Sequence, residues 1–118
     1  MRRSLFALFA AALALPLATG CGSSFPIPND QFATAQKDVG RAQESGADGV
    51  PDAKLHLQLA NETLQKAKEQ MDKDNRRAAS LISRASAEAQ LAMSLAKESQ
   101  ARSEAQDAAD KLARAKGK

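Results

Sequence analysis

Residues 46–71 read GADGVPDAKLHLQLANETLQKAKEQM, and this stretch decides the fold. Gly46, Gly49 and Pro51 fall within its first six positions. Glycine ends helices because it enters the left-handed conformation without a Cβ clash. Proline suits the first turn of a new helix, where its missing N–H has no partner to lose. Asp52 follows, well placed on the positive end of the helix dipole. From there Ala53, Leu57, Ala60, Leu64, Ala67 and Met71 recur at steps of four and three, the signature of one helical face. Leu55 and Leu59 widen that face. The spacing predicts a chain that stops at Gly46, turns with both glycines in unusual backbone angles, and returns as the central helix of a bundle.

Upstream, Phe32, Ala35, Val39 and Ala42 form a second stripe at helical spacing. Asn29 or Asp30 is the expected cap, with Pro28 closing the segment before it. Gly40 costs this first helix roughly 1 kcal/mol relative to alanine unless it permits close packing. Downstream, Met71-Asp72-Lys73-Asp74-Asn75 has no apolar periodicity and reads as a tight turn, with Asp74 or Asn75 capping a third helix. That helix is expected from about Arg76 to about Ala115. Its first half carries Ala78, Ile82, Ala85, Ala89, Ala92 and Ala96 on one stripe, supported by Leu81, Leu91 and Leu95. Its second half changes phase to Ala101, Ala105, Ala108, Leu112 and Ala115. At about 1.5 Å per residue such a helix far outruns the two before it. Its second half therefore either projects alone, steadied by the pairs Glu98–Arg102, Asp107–Lys111 and Asp110–Arg114 at i, i+4 spacing, or packs against a partner. The fold expected is all-α: an elongated antiparallel helical hairpin or three-helix bundle over residues 30–116, with a long C-terminal coiled-coil-like helix.

The first twenty residues are of another kind. Arg2 and Arg3 precede an uncharged run from Ser4 to Ala18, shorter than the roughly 20 apolar residues that span a bilayer. A basic start, a short apolar run and small residues before a cut site make a secretory signal peptide. Leu17-Ala18-Thr19-Gly20-Cys21 resembles a lipobox, in which signal peptidase II cuts between Gly20 and Cys21 once the cysteine thiol is diacylated. It departs from the pattern in one place: Ala18 stands where leucine is usual, with Leu17 one position earlier. Cys21 is the single cysteine of the chain, so it has no intramolecular disulfide partner. The reading assigns residues 1–20 to a cleaved leader and residues 21–29 to a lipidated N-terminus and flexible tether. A covalent diacylglycerol and an N-acyl chain on Cys21 are the only attached groups expected, with no other cofactor. Gly22 rather than an aspartate follows the cysteine, which by analogy with enteric lipoproteins directs the protein to the periplasmic face of the outer membrane of a Gram-negative bacterium. In the tether, Phe25 and Ile27 dip into the lipid interface, cover the end of the bundle, or are incidental linker residues.

The charge balance follows from the leader. Two of the 17 basic residues leave with it, so 15 face 14 acidic ones, and the apparent basicity carries no licence for a nucleic-acid partner. His56 is the single histidine and is expected as an exposed helix residue. With Cys21 acylated, no imidazole–thiolate set remains for zinc or a similar metal. The serines lie in alanine-rich helical stretches without a nucleophile elbow, and the carboxylates sit beside Lys or Arg in ordinary helix-surface patterns. Arg76-Arg77 reads as a solvated turn. No catalytic residue is assigned, and the protein is expected not to be an enzyme.

The Gly46-Ala47 turn, the Val50-Pro51 helix start and the spaced Leu and Ala residues leading into a long Ala-rich helix resemble the DUF4398 (domain of unknown function) family of envelope lipoproteins. The resemblance covers roughly Asp30 to Ala101. Val50 replaces the usual alanine before Pro51, and the acidic–aromatic pair that often opens the third helix is Asp74-Asn75 here. Some members continue into an OmpA-like peptidoglycan-binding domain. The function expected is a structural or protein-interaction role in the cell envelope. Its partners would be the membrane through the lipid anchor, and envelope proteins or a second copy through the third helix. An alternative rests on the ending Ala-Arg-Ala-Lys-Gly-Lys, which resembles small murein lipoproteins whose terminal lysine is joined to peptidoglycan. Lys118 would be the attachment point. The Gly46–Pro51 break and the glycine before Lys118 depart from that type.

Overall fold

The computed structural model describes residues 24–117. Three helices follow one another: α1 (Asn29–Glu44), α2 (Pro51–Gln70) and α3 (Asn75–Lys116), with a short 3₁₀ turn at Ala47–Gly49 between the first two. Among the described residues there is no strand. The all-α expectation holds, and the chain runs up, down and up.

The direction of each helix is fixed by contacts along α3. Asp38 of α1 meets Ser86 and Gln90, and further on the Ser45 carbonyl accepts a hydrogen bond from Gln100 Nε2 at 3.1 Å. α1 and α3 therefore run parallel. On α2 the order reverses, because His56 meets Glu88 while the earlier Val50 and Asp52 line a recess with Leu95 and Ser99.

The stripes read on α1, on α2 and on the first half of α3 are buried along most of their length. Ala35, Val39 and Ala42 of α1, Ala53 to Ala67 of α2, and Ala78 to Ala96 of α3 form the core, joined by Ala47 of the turn. Its larger members are Val39, Leu57, Leu64 and Ile82, the rest being alanines. Small side chains let helix axes approach closely, but each contributes little apolar area. One expectation is corrected here. The common surface is α3, not α2: both shorter helices pack along α3, and α1 touches α2 far less. Three similar alanine seams do not reveal which one the other two share.

The turns hold further corrections. α1 begins at Asn29 without a side-chain cap. The Pro28 carbonyl takes the first helical bond instead, from Phe32 N–H at 3.0 Å, which leaves Asn29 and Asp30 inside the first turn. Gly46 is left-handed, with φ +80°, and ends the first arm of the hairpin as expected. Gly49 has ordinary angles, since a 3₁₀ turn carries the chain from Gly46 to Val50. At the second turn the left-handed residue is Asp72, φ +70°. Aspartate tolerates that region better than most residues, and Asp72 N–H donates to Asn75 Oδ1 at 2.9 Å. Asp74 caps α3 as expected, its Oδ1 accepting the Arg77 N–H at 2.9 Å.

Two leucines expected to extend the apolar faces do not. Leu55 and Leu91 are 55% and 42% exposed, because each lies too far around its helix from the alanine seam. Gly40 permits no close approach, as a Cβ built there meets nothing within 4 Å. The core ends at Ala96, and every residue from Ala101 to Gly117 is exposed. The step from Ala96 to Ala101 is five residues, which turns the seam by about 140° at 100° per residue. Of the 42 residues of α3, about 63 Å in length, those from Ala101 onward make an uncovered arm roughly 24 Å long.

Candidate functional site

Cys21, Gly20 and Lys118, the residues assigned to lipidation, cleavage and peptidoglycan attachment, lie outside the described residues. What the structure offers is two polar clusters between helices, an exposed arm, and the relative position of the two ends.

His56 corrects its expectation. Its side chain is 28% exposed, not fully solvated, and Nδ1 lies 2.7 Å from Oε2 of Glu88, whose side chain is 20% exposed. The pair joins α2 to α3. A second cluster joins α1 to α3 around the buried Asp38. Ser86 Oγ donates a hydrogen bond to Asp38 Oδ2, Gln90 Nε2 reaches the same oxygen at 3.3 Å, and Arg41 lies 3.6 Å from Oδ1. Both clusters escaped the sequence reading. The signal that marks them is a polar residue immediately beside a seam position: Asp38 beside Val39, His56 beside Leu57, Ser86 beside Ala85, Glu88 beside Ala89. A side chain one position off the seam flanks the interface and reaches across it.

Asp38 is held by donors on each side and opens onto no enclosed cavity; beside it lies a shallow open groove of about 620 Å³ lined by Asp30, Gln31, Thr34, Ile82, Ser83 and Gln90. Among the described residues no group of three or more His, Cys, Asp or Glu side chains is placed to hold a metal ion, and no helix is long and apolar enough to cross a membrane.

The arm is the remaining feature. Glu98 and Arg102 at its base form the expected ion pair, but Asp107–Lys111 and Asp110–Arg114 are not within 4 Å, so exposed side chains there stay solvated. Leu112 is 56% exposed. The acidic residues Glu104, Asp107 and Asp110 precede a basic tip of Lys111, Arg114 and Lys116. The arm continues α3 past the α1–α2 turn, whereas Asn75 at the opposite end of the bundle hydrogen-bonds the carbonyl of Phe25 at 2.9 Å through Nδ2. The N-terminal segment and the arm thus leave from opposite ends.

The model of the family described as a domain of unknown function, DUF4398, matches residues 30–108. The chain belongs to this family. The DUF4398 match takes in the whole apolar core and the arm as far as Ala108, and leaves the segment before Asp30 and the rest of the arm, with its basic tip, outside it. It extends the resemblance read from the sequence by several residues, from Ala101 to Ala108. Neither the curated proteins nor the solved structures searched include a match. The DUF4398 description carries no activity.

Proposed function

We propose that this chain is a non-enzymatic lipoprotein of the bacterial outer membrane, held on the periplasmic face by acyl chains on Cys21. Its helical bundle stands in the periplasm and presents the α3 arm to other components of the envelope. The observation that carries this reading is the opposition of the two ends. Phe25, four residues after Cys21, is tied to Asn75 at the start of α3, and the uncovered arm leaves from the other end. An anchor at Cys21 would therefore hold the arm away from the bilayer, where a protein or the cell wall is within reach. Three acyl chains make such an anchor effectively permanent, since each buried methylene contributes about 0.8 kcal/mol.

The test is the mass and location of the protein extracted from envelopes. A chain beginning at Cys21 and carrying a diacylglycerol and an N-acyl group, sedimenting with outer membranes, is the expected result. An unmodified Cys21 on protein found free in the periplasm would end the reading. Changing Cys21→Ala should abolish processing and acylation together.

The second reading, a covalent link from Lys118 to peptidoglycan, draws support from the same geometry, because α3 ends at Lys116 on the side away from the anchor. Recovery of Lys118 in muropeptides from lysozyme-digested sacculi establishes the link. Protein that is fully extractable with detergent removes it.

A further inference from the structure

The end of the bundle where the N-terminal segment joins it displays two side chains that the core does not use. Phe25 and Ile27 are 40% and 45% exposed. Each precedes a proline, which holds it in an extended conformation, and residues two apart in an extended chain share a side. This segment is fastened at several points. Asn75 Nδ2 donates to the Phe25 carbonyl at 2.9 Å, the Ile27 carbonyl accepts the Asn29 N–H at 2.9 Å, and Pro28 is buried. A fixed backbone thus holds an aromatic and a branched aliphatic side chain out into solvent, at the cost of leaving their apolar surface wet.

Chain length and charge say what covers them. Phe25 follows Cys21 by four residues, so no more than about 14 Å of chain separates it from the acylated position. Around the pair, Lys73, Arg76 and Arg77 are balanced by Asp30, Asp72 and Asp74, all exposed. The balance gives this end no net pull toward an anionic surface and no repulsion from a bilayer. We infer that this end of the bundle docks on the zwitterionic phospholipid surface, with Phe25 and Ile27 inserted at the headgroup–acyl boundary. The docking fixes the bundle's orientation, so that it does not swing on its tether. The inference rests on the acylation of Cys21 proposed above.

The chain has no tryptophan, so a single introduced one is a clean reporter. Full-length protein carrying Phe25→Trp, Ile27→Trp or, on the arm, Leu112→Trp is purified from membranes and reconstituted into vesicles of phosphatidylcholine and phosphatidylethanolamine. Mass spectrometry reports acylation of each sample. Lipid brominated along its acyl chains should quench the reporters at 25 and 27 at least about threefold more than the one at 112, with blue-shifted emission and no change in high salt. Acylated protein in which all three positions are quenched alike overturns the docking while the lipoprotein reading stands. Quenching at 25 and 27 that vanishes in high salt overturns the assignment of a zwitterionic, apolar contact. Purified protein with an unmodified Cys21 overturns both.

Discussion

Gly40 lies in the middle of α1, and nothing around it requires a missing Cβ. Glycine at such a site costs about 1 kcal/mol of helix stability relative to alanine. Gly40→Ala should therefore raise stability by about that amount, seen as a melting temperature higher by roughly 4–8 °C in circular dichroism of a domain this size. A lower melting temperature would mean that the position is more crowded than its surroundings indicate. The His56–Glu88 pair makes a prediction of opposite sign. Truncating either residue to alanine removes an interhelical hydrogen bond and should cost about 1 kcal/mol. A double-mutant cycle in urea should return a coupling of similar size, where additive losses would show that the two residues act independently. This pair was not legible in the sequence. Two residues 32 positions apart meet only once the register between α2 and α3 is set, and periodicity within one helix says nothing about register between helices. The same ignorance hid the Asp38–Ser86 contact, although both residues could be seen to stand beside a seam.

At the scale of elements, the stripes were legible because steps of three and four residues place side chains on one helical face regardless of what covers it. The hairpin was legible because Gly46 and Pro51 each have a specific backbone reason to stand where they do. The α2–α3 turn was harder to read, since its left-handed residue is Asp72 rather than a glycine. The change of phase after Ala96 was the most informative feature of α3, since it separates the packed half from the arm. Residues 103–117 are all exposed and add nothing to the buried core, so removing residues 103–118 should leave the cooperative melting of the bundle within about 0.5 kcal/mol of its original stability, as for other changes away from packed sites. Amides from 103 to 117 should exchange with solvent far faster than those of Ala78 to Ala96, because an isolated alanine-rich helix of this length is marginal in water. Loss of the bundle's cooperative transition on truncation would show that the arm supports the core. Pairing of arms between copies on one membrane is opposed by charge: with Ala105 and Leu112 as one seam position and Ala101, Ala108 and Ala115 as the other, parallel arms bring Lys97 toward Arg102 and Lys111 toward Lys116 of the second copy. The arm is thus better suited to a different partner than to a parallel copy of itself.

For the whole molecule, the feature with functional weight is polarity. α3 runs the full length, the N-terminal segment is fastened near its start, and the arm is its far end. A bundle docked by Phe25 and Ile27 and anchored at Cys21 would turn this polarity into height above a bilayer, using α3 as a spacer. The measurement that tests this most directly is the distance from the membrane plane of dyes placed along α3. If Cys21 is acylated as proposed, Lys73→Cys and Leu112→Cys each supply the one reactive thiol, and energy transfer to acceptor lipids reads its height. Position 112 lies 37 residues beyond the start of α3 at Asn75, about 55 Å along the helix. Upright standing predicts strong transfer at 73 and little at 112. Strong transfer at both positions would mean a bundle lying flat on the lipid, and the account of α3 as a spacer would be wrong.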